Sequence, residues 1–309
     1  MIFHHHSTDI CFFQFFIKRL DLMKIGMYIK DKKLTNKSLP LEVLHMTGPV
    51  PSATFIFIII ALVFSFAFPI GICIFFHKKK GAAILPFFVG CVVFLLFALV
   101  LESIAHQLIL GSSFGAAIQD NILAFAIYGG VMAGLFEETG RFVAFKTVLR
   151  KYRDKDHTAL MYGAGHGGFE VVALLGFTMI SNLVICYLIN TGNISVITDR
   201  MAGDQLAAFE ASVNTLVELP LLDLCLSIVE RVSAVIIQIS LSVAVWFAAK
   251  DSRRLPLFPL AIILHTVDDA ATVLMTDHGF SNLVIELVIL GAACLLALCA
   301  QRIWRSAHR

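Results

Sequence analysis

From Phe55 to Phe76, and again from Phe87 to Leu101, the chain contains no charged side chain. Runs of that kind approach or exceed the roughly 20 apolar residues needed to cross a bilayer core about 30 Å thick. They recur almost to the C-terminus. Only 15% of the 309 residues are charged and 58% are hydrophobic, whereas a soluble domain carries about 25% charged residues. The fold class expected is therefore all-α, a polytopic transmembrane helix bundle with no soluble domain of its own.

Hydropathy places seven spans at 52–76, 84–110, 119–149, 158–190, 223–249, 256–276 and 280–303. The acidic, half-apolar stretch 200–222 reads as a surface helix or loop rather than a span. Lys78–Lys80, Arg150 to Lys155, Lys250 with Arg253 and Arg254, and Arg302 with Arg305 and Arg309 fall on one side of this layout. The opposite loops hold a single basic residue, Arg200. The positive-inside rule puts the basic side in the cytoplasm, with the first span entering from outside and the C-terminus cytoplasmic. The expected location is the cell membrane, multi-pass and of bacterial plasma-membrane type.

Residues 1–45 conflict with that topology, because Lys18, Arg19, Lys24, Lys30, Lys32, Lys33 and Lys37 would lie outside. The reading adopted is a gene-model extension with translation starting at Met46, the alternative being a basic cytoplasmic tail. Residues 46–309 then form one membrane domain. The seven cysteines are scattered, with no CxxC pair or zinc spacing, and read as small packing residues.

An ionisable residue within a span costs a few kcal/mol or more and is a functional candidate by default. Three clusters qualify. Glu137 and Glu138 stand four and three residues before Arg141, so the guanidinium can reach either carboxylate. One carboxylate can then be held ionised while the other serves as a base. His166 and Glu170 share a face in a string with four glycines, which suits close helix approach. His265 and Asp269 share a face four apart, so the carboxylate can orient the imidazole. For each cluster the bland alternative is a polar contact that pins helices together.

Depth links the three. Glu137 lies 13 residues before Arg150, His166 11 after Lys155, and His265 11 after Arg254. At about 1.5 Å per residue all sit roughly 15–20 Å from the cytoplasmic ends. A fourth pair, Glu230-Arg231, lies nearer the outer end. Adjacent residues diverge by about 100° on a helix and need not pair, so one of them braces a neighbouring span or Arg231 holds a catalytic carboxylate.

Glu137-Glu138-x-x-Arg141, Tyr162-x-x-x-His166 and His265-x-x-x-Asp269, in that order, resemble the glutamic intramembrane proteases of the CAAX-processing and bacteriocin-processing superfamily. The Gly-His-Gly-Gly-Phe-Glu string and Glu230-Arg231 resemble the YhfC family in particular. The resemblance covers about 51–300. Two departures stand out: EExxR where many members have EExxxR, and Gln238 where a histidine is expected.

The resemblance implies an intramembrane endopeptidase. Glu137 or Glu138 with His166 would activate water, and His265 with Asp269 would stabilise the oxyanion. Tyr162, Glu170, Glu230, Arg231 and Asp268 would support them, and water would arrive through a cytoplasm-facing cavity. No cofactor is favoured. Zinc on Glu137, His166 and His265 is the alternative, although no HExxH is present. Against metal stand an arginine beside a ligand carboxylate and the missing imidazole at 238. The partners implied are the bilayer and a membrane-embedded or lipid-anchored protein substrate, with no nucleic acid. Competing classes are a proton-coupled transporter, against which no two-fold repeat is evident, and an inactive scaffold.

Overall fold

The computed structural model describes residues 49–309, so the reading of a start at Met46 lies outside the described residues. Every regular element among them is helical. Seven helices are long and apolar enough to cross a membrane: α1 Ser52–Lys80, α2 Leu85–Leu110, α3 Ile122–Lys146, α4 His157–Asn190, α5 Leu221–Lys250, α6 Leu257–Asp277 and α7 Asn282–Ala307. Each lies within a few residues of its expected span. The protein is a multi-pass membrane protein.

Among the described residues two compact units are distinguished, one of 49–60 with 178–224, the other of 61–177 with 225–309. In the first, Asn190 Oδ1 accepts a hydrogen bond from the Val50 amide at 2.9 Å. The acidic stretch forms a helix over Asp204–Glu218, which is not among the candidate spans.

The second unit is built around α5, which is buried at every position from 240 to 249. Leu241, Val245, Trp246 and Phe247 pack there with Phe145 of α3, Tyr162 of α4 and Ala293 of α7. Burying one such side chain contributes about 1.5–3 kcal/mol in water, but lipid is as apolar as these side chains, so close packing must hold the bundle instead. Outward-facing Val63, Ile70, Phe88 and Leu295 are exposed, as suits contact with acyl chains. At the basic end, Asp156 accepts from Trp246 Nε1 and Lys250 Nζ, both at 2.7 Å, tying the start of α4 to the end of α5.

Two close approaches set the register of the bundle. A Cβ at Gly130 of α3 would fall 2.4 Å from the Thr266 carbonyl oxygen of α6, and Thr266 Oγ1 donates to the Gly130 carbonyl at 3.0 Å. A Cβ at Gly165 of α4 would fall 1.9 Å from the Phe87 carbonyl oxygen of α2. Because the obstacle is backbone, Gly165→Ala is expected to destabilise by about 1–3 kcal/mol or more, the range of overpacked interiors. Gly129 has nothing within 4 Å of its Cβ position, so Gly129→Ala should be neutral or stabilise by up to about 1 kcal/mol. Thermal unfolding of both variants in detergent checks the pair; equal effects would mean that α2 and α4 do not meet at Gly165.

Candidate active site

Glu137, His166 and His265 lie nine, nine and eight residues from the basic ends of α3, α4 and α6. At 1.5 Å per residue that is about 12–14 Å. The common layer is present, slightly shallower than the loop charges suggested, because the helices end before the outermost basic residues.

The close approach of α3 and α6 sets Glu138 against His265, whose Nδ1–H donates to Glu138 Oε1 at 2.9 Å. The other oxygen of Glu138 accepts from Arg141 Nη1 at 3.0 Å. Both Glu138 and Arg141 are fully buried. Of the two carboxylates the sequence left open to Arg141, the guanidinium takes Glu138, the one on the nearer turn. Its second nitrogen, Nη2, donates to Gln238 Oε1 of α5.

Glu137 is the carboxylate left to the site. Its Oε2 lies 2.9 Å from His166 Nε2 and 4.0 Å from His265 Nε2. Gln238 Nε2 donates to the same oxygen at 3.0 Å and to Glu170 Oε2 at 2.9 Å. The amide orientation follows from its partners: reversed, its carbonyl would face two carboxylates and its NH2 a guanidinium. His265 Nε2 also stands 3.6 Å from Asp269 Oδ2.

His166 is held by rings. Tyr162 stacks on it, with centroids 5.8 Å apart, and Phe94 meets it edge-on at 5.2 Å. Phe145 packs edge-on against Tyr162 at 4.6 Å.

Arg231 Nη1 donates to Glu170 Oε1 at 3.2 Å, bracing α5 against α4, and Nη2 binds Glu230. The adjacent residues thus do pair, because the long arginine side chain spans the angle between them. Asp268 is half-buried on α6, one residue before Asp269. The six residues expected to carry the chemistry are drawn together, and Tyr162 and Glu170 adjoin them directly.

Sequence reasoning missed two features. Gln238 drew notice only as a departure from family pattern, yet it joins Arg141, Glu137 and Glu170. The other lies on α2, where Phe94–Glu102 is a π-helical segment, a distortion frequent at functional sites. Buried Glu102 lies within electrostatic reach of Glu137 and His265. Its Oε1 is 3.1 Å from His106 Nε2, and His106 Nδ1 is 2.9 Å from the Tyr128 hydroxyl. The signal was available, since Glu102 and His106 are four apart, as are His166 and Glu170.

The seven-span bundle buries paired glutamates, an arginine and two histidines in one layer, a polar site embedded in the membrane domain. The family model described as YhfC intramembrane metalloprotease matches residues 64–290. The chain is also 31% identical over 259 residues to the uncharacterized membrane protein YhfC of Bacillus subtilis (strain 168), covering 81% of this chain and 97% of that one. No solved structure matches. The chain belongs to the YhfC family, whose description supports an intramembrane protease.

Proposed function

We propose that the chain hydrolyses a peptide bond of a membrane-embedded or lipid-anchored protein, with Glu137 and His166 activating water. The supporting observation is a single oxygen, Glu137 Oε2, placed 2.9 Å from one buried imidazole and 4.0 Å from another. A water held against Glu137 and His166 gives its proton to Glu137 while its oxygen attacks the carbonyl carbon. Charge growing on the carbonyl oxygen meets Nε2–H of a doubly protonated His265, oriented through Nδ1 by Glu138 and flanked by Asp269. Collapse of the tetrahedral intermediate breaks the C–N bond, and Glu137 returns the proton to the leaving amine. Membrane proteomes from cells carrying the wild-type chain or Glu137→Gln test this. At least one membrane polypeptide should accumulate uncut in the variant, and identical proteomes would refute the reading.

The family description raises zinc, and the residues fit it by type, since two imidazoles and a carboxylate form a catalytic zinc set. Tetrahedral zinc with bonds near 2.0–2.1 Å sets its donors about 3.3 Å apart, and the two distances at Glu137 straddle that value. As placed, no three His, Cys, Asp or Glu side chains among the described residues surround one point closely enough to hold an ion, so an ion would have to draw them together. Glu137, His166 and His265 would hold it, with Glu138 orienting His265. Bound zinc supplies Lewis-acid polarisation and a more acidic water.

The two versions differ at His265 Nε2, an N–H donor in one and a lone pair in the other. Carboxylates of Glu137, Glu138 and Asp269 lie within 4.0 Å of this imidazole, an arrangement that suits either an N–H donor or a bound cation there. One ground against metal falls, because Arg141 binds Glu138 and Gln238 rather than Glu137. The other stands: position 238 offers no imidazole. The metal-free version uses the direct contacts as they are, and cleavage is expected to survive exhaustive chelation, with sub-stoichiometric zinc in the purified protein. Inactivation reversed by zinc or cobalt would reassign the three residues as ligands and leave the protease reading in place.

A further inference from the structure

The surroundings of the site differ sharply along the bundle axis. On the side of the basic loops, α3, α4 and α5 close over it with Phe145, Tyr162, Leu241, Val245 and Trp246, all buried. Phe145 bridges two of these, its ring 4.6 Å from that of Tyr162 and 5.1 Å from that of Trp246. Beyond this plug the Asp156–Trp246–Lys250 contacts tie α4 and α5 together at the surface. The polar residues on that side, Arg141, Tyr162 and Ser242, are all fully buried.

On the opposite side polar groups continue outward step by step. Asp269 is one turn further along α6 than His265, and its side chain is 32% exposed. Glu170 leads to Arg231, and Arg231 to Glu230, whose side chain is 29% exposed. Glu102, His106 and Tyr128 form a second hydrogen-bonded string toward the same ends of α2 and α3. Asp269 lies eight residues inside the end of α6 at Asp277, or about 12 Å. An ionised carboxylate at that depth needs water or a charged partner beside it rather than hydrocarbon.

We infer that water and the scissile peptide reach Glu137, His166 and His265 from the face opposite the basic loops, between the polar strings of α2, α4, α5 and α6. With the basic loops cytoplasmic, that face is extracytoplasmic. The inference rests on the protease reading and narrows its substrates to membrane-associated polypeptides that present the cleaved segment on the outer side. It also reverses the cytoplasm-facing cavity that the family resemblance implied, for the physical reason that the cytoplasmic route is filled by aromatic and aliphatic side chains.

Single-cysteine additions to the full chain test it, read as the increment over the parent, whose seven cysteines remain in place. An impermeant sulfonated maleimide is applied to right-side-out and to inverted membrane vesicles. Lys155→Cys marks the basic-loop side. Asp269→Cys and Thr272→Cys are expected to label in the opposite vesicle orientation from Lys155→Cys. Val245→Cys, within the plug, is expected to label in neither until the protein is denatured. Thr272→Cys is nearly isosteric and guards against misfolding of the Asp269 variant. Labelling of Thr272→Cys or Val245→Cys from the Lys155 side would overturn the inference. So would a Thr272→Cys that labels from neither side but reacts after denaturation. None of these readouts requires cleavage, so loss of the protease reading would appear separately, as activity retained in Glu137→Gln.

Discussion

Glu137→Gln is expected to abolish cleavage by about 10²–10⁴-fold while the protein stays folded, the range over which a general base contributes. The substitution keeps shape and removes one charge. The amide oxygen of the new side chain can occupy the place of Oε2, which lies 2.9 Å from His166 Nε2 and accepts from Gln238 at 3.0 Å. What it cannot do is take a proton from water. Unfolding temperature in detergent should therefore remain close to wild type while cleavage is lost. Glu138→Gln should behave otherwise. It weakens the charge-assisted contact with Arg141 and the acceptor that orients His265, so stability and rate should fall together. If Glu137→Gln cleaves at the wild-type rate, Glu137 is not the base. If it loses ion flux and no cleavage can be found, the site belongs to a carrier.

The spans were legible because each is an apolar run near the length of the hydrocarbon core, a signal that survives without knowledge of packing. Their ends were less so. α1 was expected to stop at 76 but continues to Lys80, since lysines at a helix end extend their charged heads to water while the backbone stays helical. α3 was expected from 119 but begins at Ile122, where Asn121 Oδ1 caps the Ala124 amide at 3.0 Å. Within a helix, spacing gave the site well: Glu138 with Arg141 and His265 with Asp269 follow from three- and four-residue intervals. Spacing cannot say which glutamate meets which histidine. That depends on how α3 and α6 rotate against each other at Gly130. Gln238 escaped because a neutral amide in an apolar helix carries no charge signal, although its value lies in bridging a guanidinium and two carboxylates. Glu102 escaped although its four-residue spacing to His106 was visible, because that pair matches none of the family motifs and its link to Tyr128 runs between helices.

Arg141→Ala is expected to have the largest effect on stability of any single change at the site. Arg141 is fully buried and donates to Glu138 of its own helix and Gln238 of α5. Removing it leaves a buried carboxylate short of its cation, takes the donor from the Gln238 carbonyl and opens a void. Breaking one side of a buried ion pair typically costs 3–5 kcal/mol, a large part of a total stability of about 5–15 kcal/mol. The variant should therefore accumulate poorly and unfold at markedly lower temperature. Arg141→Lys should recover only part of this, because an ammonium lacks the planar fork that meets a carboxylate and an amide oxygen together. The pairing itself is isolated by a cycle with Glu138→Gln. Once the carboxylate is neutral, adding Arg141→Met should cost much less than Arg141→Met costs in the wild-type background, since replacing both partners of a buried pair is often close to neutral. Cleavage should stay low in the double variant, because His265 loses a charged anchor at Nδ1. Equal costs in both backgrounds would show that Arg141 acts by filling space, and that the division of roles between Glu137 and Glu138 does not depend on its charge.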